Sequence, residues 1–402
     1  MKFLSKIEFI VSLGNFVLIN FTCLKTLFLL KIFLNGENKM KKIVKQDLER
    51  IYNGLTIEER EKFDGVTILL TGCAGFLGFY FSHFFAHYKK DLNIKEVIGL
   101  DNFLVGYPKW LKDMNESGDL TLHKFDVIND DIANIPGIES ATYIYHMASV
   151  ASPVFYRKYP IETMDANIWG LRGLLDFFKE RSIKGLVFFS SSEIYGDPTP
   201  ENIPTSEDYR GNVSCLGPRA CYDEAKRFGE TMCYLYNQRY NMPITIIRPF
   251  NNYGPGMRLN DKRVSADFAF AVLENKNIVI FSDGTPTRTF CYISDAITGY
   301  LKVLLYDRFE AFNIGMDYPE ISIRELAEIY KKVGIENFGY TGTTQFSEAE
   351  DKAYLANNPN RRCPNIEKAR KLLRYNPQVV VQDGVRYFLE YIKESEAEEL
   401  QW

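Results

Sequence analysis

Histidine and paired cysteine are what this sequence has little of. Four histidines among 402 residues leave scant material for an imidazole metal centre. The seven cysteines, Cys23, Cys73, Cys215, Cys221, Cys233, Cys291 and Cys363, are odd in number, scattered, and never in a CxxC pair. That pattern speaks against a disulfide framework and against structural zinc, so no metal is expected. Charge of one sign is also lacking: 48 Lys and Arg against 52 Asp and Glu leave a net charge of −4. Nothing electrostatic therefore favours a nucleic-acid partner. No internal repeat is visible. These absences suit a reduced, cytoplasmic protein.

What is present is ordinary globular material. Residues that are 46% hydrophobic and 25% charged exclude wholesale disorder and fibrous architecture. The length gives a prior of two to three domains at about 150 residues each, enough for a large core without staples. Phe and Tyr are plentiful, 30 and 25, and read as an aromatic-heavy core before they read as lined pockets.

Residues 1–39 do not match the rest. The stretch from Ile7 to Leu34 is mostly apolar but broken by Asn15, Asn20, Lys25 and Lys31. It is long enough to cross a bilayer, which takes about 20 residues, yet its polar residues recur throughout. No small-residue cleavage site follows a compact apolar core, so a removable signal peptide fits poorly. Three readings stand: a membrane anchor, an interfacial helix, or an extension upstream of a start at Met40-Lys-Lys. From Lys45 to Lys62, the spacing of Leu48, Ile51, Tyr52 and Leu55 predicts a short amphipathic helix within an N-terminal segment, 40–65.

Beyond it, short apolar β-branched runs alternate with helical patterns. Strands are expected at Val66–Thr71, Glu96–Asp101, Thr142–His146, Leu186–Ser190 and Ile244–Arg248. Such alternation implies parallel βαβ units and a doubly wound, Rossmann-type α/β sheet. After residue 250 the spacing becomes irregular and rich in Gly, Pro and Asn. The expected division is therefore a dinucleotide-binding domain over 66–250 and a smaller substrate-binding lobe over 251–395, with a return to the sheet near 285–305.

Two motifs carry chemistry. Gly72, Gly75 and Gly78 follow a strand, open a helix and precede Asp101 at the end of the next strand. Glycines there allow a tight turn, backbone approach to a pyrophosphate and close helix–strand packing, with the anion on the helix N-terminus. Asp101 suits a ribose 2′-hydroxyl and repels a 2′-phosphate, so NAD is expected rather than NADP. The second motif is Tyr222-Asp-Glu-Ala-Lys226. Positions i and i+4 share a helix face, which puts phenol and ammonium in one cleft. A cation and a hydroxyl donor would favour the phenolate, and Ser190-Ser-Ser-Glu193 at a strand end offers the donor.

Together with Arg248-Pro-Phe-Asn251-Asn-Tyr-Gly-Pro255, these features resemble the extended short-chain dehydrogenase/reductases that act on nucleotide sugars, over roughly 66–395. Gly217-Pro-Arg-Ala-Cys-Tyr-Asp-Glu-Ala-Lys-Arg227, Asn260-Asp-Lys-Arg-Val-Ser265, Arg288 in its Thr-Pro-Thr-Arg-Thr-Phe setting, and Arg361-Arg-Cys-Pro-Asn-Ile366 are similar to the UDP-glucuronic acid decarboxylase branch. The resemblance implies Tyr222 as base, Lys226 as its support, Ser191 in the Ser/Thr position, and Glu193 as the glutamate of decarboxylases and dehydratases. It implies that Phe76, Leu77, Asn102, Asp126, Val127, Ala148 and Ser149 line the cofactor beside the glycines and Asp101. It further implies that Ser192, Asn251, Arg263, Arg288 and Arg362 meet the nucleotide sugar, and that His146 is structural.

Two departures bear on the activity. Ser192 stands where the related 4,6-dehydratases carry an acid that expels water. Gly254-Pro-Gly256-Met257 stands where the decarboxylases usually read Gly-Pro-Arg-Met, so a guanidinium is missing. The implied reaction is decarboxylation of a UDP-hexuronic acid through a 4-keto intermediate with NAD recycled. A C4-epimerase, a 4,6-dehydratase and a non-catalytic NAD-binding scaffold are the alternatives. A homodimer is implied through helices near 162–181 and 218–239, where Phe228, Met232, Leu235 and Tyr236 share one helical face.

Overall fold

Residues 40–348, 358–395 and 400 are described in a computed structural model of the chain. The apolar leader, and the choice among anchor, interfacial helix and upstream extension, lie outside these residues. Among the described residues no helix is long and apolar enough to cross a membrane.

The apolar β-branched runs become strands that can be buried on both faces only in a covered parallel sheet. Seven strands, β1 (Thr67–Thr71), β2 (Glu96–Asp101), β3 (Thr121–Lys124), β4 (Ala141–His146), β5 (Gly185–Phe189), β6 (Ile244–Pro249) and β7 (Glu310–Ile314), form one parallel sheet. Their order is β7-β6-β5-β4-β1-β2-β3. Every residue of β1 and β5 is buried. The winding reverses between β1 and β4, and in such sheets ligands bind at the strands' carboxyl ends beside that reversal.

Five strands lie where the sequence reading put them. β3 has no buried residue and so lacks the apolar signal. The chain is back at the sheet by helix Ile293–Leu304, which packs on β5 and β6 within the expected 285–305, and β7 then adds the last strand.

The helices follow their patterns with two exceptions. The single helix expected over 45–62 is two, α1 (Lys42–Asn53) and α2 (Ile57–Glu61), because Thr56 and Glu59 form a capping box that starts a new helix. α3 (Phe76–His87) follows the glycine turn as expected. α4 (Leu171–Phe178) buries Leu171, Leu174, Leu175 and Phe178 in the core. α5 (Ala220–Tyr240) carries the Tyr/Lys motif. Its expected single stripe divides: Met232 and Tyr236 are buried, whereas Phe228 and Leu235 are 50% and 55% exposed.

The remainder of the chain builds the lobe. α6 (Val264–Leu273), α8 (Ile323–Phe338) and α9 (Val381–Lys393) pack on one another, and α7 (Ile293–Leu304) returns to the sheet. Small sheets complete the lobe, a three-stranded one setting Thr287–Arg288 between Ile321–Ser322 and Arg361–Arg362.

Candidate active site

The glycine turn admits nothing larger at two of its positions. Gly72 has φ +72, and a Cβ there would lie 2.8 Å from the Ala148 backbone; one at Gly78 would lie 2.2 Å from the Cys73 carbonyl oxygen. α3 can therefore start hard against β1. Its N-cap, Gly75, supplies no side-chain cap, so the first amides of the helix remain available to an anion. The Asp101 carboxylate accepts from the Ala74 and Phe103 amides at 2.9 and 2.8 Å, which fixes it at the end of β2. Burial raises its pKa.

A cavity of about 460 Å³ opens from this turn, and every cofactor and substrate residue nominated from the sequence lines it. The open amides, the glycine approach and the acid at the end of β2 fit a dinucleotide.

The four nominated catalytic residues come together on two elements. Ser191 caps the turn after β5, its Oγ accepting the Glu193 amide at 3.2 Å. Tyr222 and Lys226 face it from the first turns of α5. Burial pushes the Tyr222 phenol up to about 12, outweighing its hydrogen bond with Ser191. The expected lowering by Lys226 is not what the geometry gives. The ammonium donates to the Phe189 carbonyl oxygen at 2.6 Å and lies 5.6 Å from the centre of the phenol ring. Burial pushes Lys226 down to about 7. His146 is bonded through Nδ1 to the Thr71 hydroxyl at 2.9 Å, and burial pushes it down to about 3, so it stays neutral.

Opposite Tyr222 stands a wall of charge. Glu193 contacts Arg219 and accepts from Arg362 at 2.6 Å. Arg362 and Arg219 hold its carboxyl well below the ordinary range against the cost of burial, and Arg288 adds to their effect. Arg288 is fixed by the carbonyls of Thr287, Asn360 and Pro359, and burial beside Arg362 lowers it to about 9. Asn251 reaches Arg362 at 3.5 Å and donates to the Thr289 carbonyl. Arg263 is paired with Asp261 and lies over the Phe76 ring.

Sequence reading did not nominate Arg219 or Tyr156, yet both line the cavity. Tyr156 stacks on Tyr222 with centroids 5.3 Å apart, a contact between distant segments with no local signature. Arg219 lies three residues before Tyr222 in the same segment, and its burial, which the sequence does not display, is what marks it. The guanidinium lacking at Gly256 has no vacant place to fill: a Cβ there would lie 2.7 Å from the Phe79 ring.

Beneath the site lies a buried polar hub. Arg248 grips Glu230 of α5 at 2.9 and 2.6 Å and donates to the Tyr195 hydroxyl at 2.8 Å. That hydroxyl donates to Asn313 at 2.7 Å, and Asn313 donates to the carbonyls of Thr205 and Asn365 at 2.9 and 3.1 Å. The segments carrying Glu193, Tyr222 and Arg362 are thus tied to one another below the cavity.

Comparison with known proteins gives a consistent picture. Residues 68–315 match the NAD dependent epimerase/dehydratase family. UDP-glucuronic acid decarboxylase 1 of Xenopus tropicalis is 34% identical over 376 residues, 89% of this chain and 82% of that one. UDP-glucuronic acid decarboxylase 6 of Arabidopsis thaliana is 33% identical, covering 79% of this chain and 86% of the relative. Among solved structures, the UDP-glucuronic acid 4-epimerase of Bacillus cereus in complex with UDP-glucuronic acid and NAD is 27% identical with a TM-score of 0.68, covering 82% of this chain and 99% of that one.

Proposed function

The chain belongs to the NAD dependent epimerase/dehydratase family, and on that premise we propose that it decarboxylates a UDP-linked hexuronic acid, UDP-glucuronate to UDP-xylose. The glycine turn, the α3 N-terminus and Asp101 would hold NAD, with Asn102, Asp126, Val127, Ala148 and Ser149 beside it. NAD, when bound, supplies reversible removal of hydride from sugar C4, which places a ketone β to the C6 carboxylate. Tyr222 takes the O4 proton, with Ser191 donating to its oxygen and Lys226 behind it, and gives the same proton back when the ketone is reduced. Loss of carbon dioxide then requires one further proton at C5 from outside that exchange. Arg288 and Arg362 would neutralise diphosphate and carboxylate, while Asn251, Ser192 and Arg263 position the sugar.

The carrying observation is the ionised Glu193 held between Arg219 and Arg362, beside Ser192. It offers a substrate carboxylate cations to meet, and it offers a departing hydroxyl no acid at Ser192. The test is incubation of the purified protein with NAD and a panel of nucleotide-linked hexoses and hexuronic acids, with products read by mass spectrometry. A product lighter by one carbon dioxide is expected. Loss of water, or an isomer of unchanged mass, would refute decarboxylation in favour of dehydration or C4 epimerisation.

We also propose a homodimer through the helices near 162–181 and α5. The exposed Ile161, Trp169, Phe228 and Leu235 support it, because scattered apolar side chains on adjacent helices gain by self-complementary burial. The cytoplasm is the proposed setting. Cys73, Cys233, Cys291 and Cys363 are free and buried, as suits a reducing compartment.

A further inference from the structure

Between Tyr222 and Lys226 on α5 lies Asp223, a buried carboxylate without a part in the reaction just described. Its Oδ2 lies 3.6 Å from Nε of Arg219, and its Oδ1 is buried without a hydrogen bond among the described residues. Arg219 is 5% exposed and turns its terminal nitrogen to Glu193. One guanidinium thus stands between two carboxylates, Glu193 in the cavity wall and Asp223 behind it.

A buried guanidinium balanced from one side only would be drawn to the next anion to arrive, and a nucleotide-linked hexuronate carries several. With Asp223 behind it, Arg219 has no charge to spare and keeps its hold on Glu193. We propose that Asp223 is a positioning residue, anchoring Arg219 so that Arg219 fixes Glu193 against the sugar and leaves Arg288 and Arg362 as the cations the substrate meets. This rests on the decarboxylase reading of the same site.

The groups facing Asp223 are Glu193 from the turn after β5, Arg362 from the lobe, Tyr156 from helix Pro153–Lys158, and Arg219, Cys221 and Tyr222 from its own neighbourhood. Burial and the Glu193 charge raise its carboxyl above the ordinary range, against the pull of Arg219 and Arg362. Mild acid therefore removes the anchoring charge. In the parent, kcat should fall on acidification at a pH above the ordinary carboxylate range.

The experiment measures kcat and KM of the NAD-saturated full chain from mildly acid to mildly alkaline pH, with UDP-glucuronate as substrate. Asp223→Asn is expected to lower kcat by about tenfold to a hundredfold, the scale of a slightly misplaced group, with no rise in KM and with the acid limb shifted from the parent's, since Tyr222 and Lys226 keep their own share of it. Asp223→Glu should recover most of the rate and the limb. In an Arg219→Gln background, Asp223→Asn should add less than about twofold, because the pair acts as one unit.

Parent kcat and pH profile in Asp223→Asn would overturn the proposal, as would full additivity with Arg219→Gln or no recovery in Asp223→Glu. Should the amide variant not fold, Asp223→Ser replaces it, and failure of both to fold overturns the proposal in favour of a purely structural role. If the parent yields an isomer, the decarboxylase reading alone falls, since the same comparison is then read on that product.

Discussion

Lys226 is expensive for the fold that holds it, and replacing it with methionine makes that cost measurable. The side chain is 3% exposed and its ammonium has a carbonyl, not a carboxylate, as hydrogen-bond partner. Burial takes it from its ordinary value of 10.5 down to about 7. At about 1.4 kcal/mol for each tenfold change in proton affinity, folding the charged lysine costs about 5 kcal/mol.

The sign follows from proton counting. Between pH 7 and 10.5 the unfolded chain binds more protons at this residue than the folded one, so stability rises with pH. The cost is near its full value below pH 7, about 2 kcal/mol by pH 9, and almost nothing by pH 10.5. Lys226→Met keeps the aliphatic volume and removes the charge, while leaving the Phe189 carbonyl without its donor at a cost of about 1–3 kcal/mol. The nucleotide-free variant should thus be about 2–4 kcal/mol more stable than the parent at pH 6–7 and slightly less stable at pH 10.

Urea denaturation at several pH values reads this directly, and turnover should be abolished in the same protein. A variant less stable than the parent at pH 7, or a gap that does not change between pH 7 and 10, would refute the reasoning.

Other consequences are equally open to test. Tyr222→Phe keeps the ring against Tyr156 and should abolish turnover with NAD binding intact; activity above about a tenth of the parent's, against the hundredfold or more expected of a lost base, removes Tyr222 from that role. Asp101→Ala frees the Ala74 and Phe103 amides and should weaken NAD and reduce discrimination against NADP by titration; an unchanged preference would overturn the placement of the ribose there. Leu235→Lys places a charge twice in the proposed two-fold interface and should give an NAD-binding monomer by sedimentation. A parent that is already monomeric at micromolar concentration ends that idea. Asp47→Ala leaves the Tyr80 and Tyr292 hydroxyls, which donate to it at 2.5 and 2.8 Å, without an acceptor. At about 1–3 kcal/mol for each orphaned group, the melting temperature should fall by several degrees.

Much of the scaffold was legible because the signals are local. The start of α3 is set by glycines whose neighbours lie within a few residues, and β1, β2 and β5 are apolar runs bounded by turn residues. β3 was not legible: its residues, Thr121-Leu-His-Lys124, are half-exposed or exposed, and only its pairing with β2 makes it a strand. The catalytic residues were read from spacing, and all four do line one cavity. Spacing could not show that Lys226 turns to a carbonyl, or that burial governs the Tyr222 proton. Nor could it show Arg219, Asp223 and Tyr156 around Glu193, since three segments remote in sequence must first converge. The apolar stripe of α5 failed for a related reason. Helical periodicity places Phe228 beside Met232, but only Met232 is buried in the core, and Phe228 is left half-exposed.

The polar hub below the cavity bears on how such a site can change over generations. Arg248, Tyr195, Asn313 and Glu230 serve as a common datum from which the turn of Glu193, the helix of Tyr222 and the strand of Arg362 are all measured. An altered hub residue shifts every reacting group by correlated amounts, so no single compensating change nearby can restore their relative positions. Val279 and Phe290 also line the cavity but are no part of that hub, so a substitution at either leaves the datum where it is.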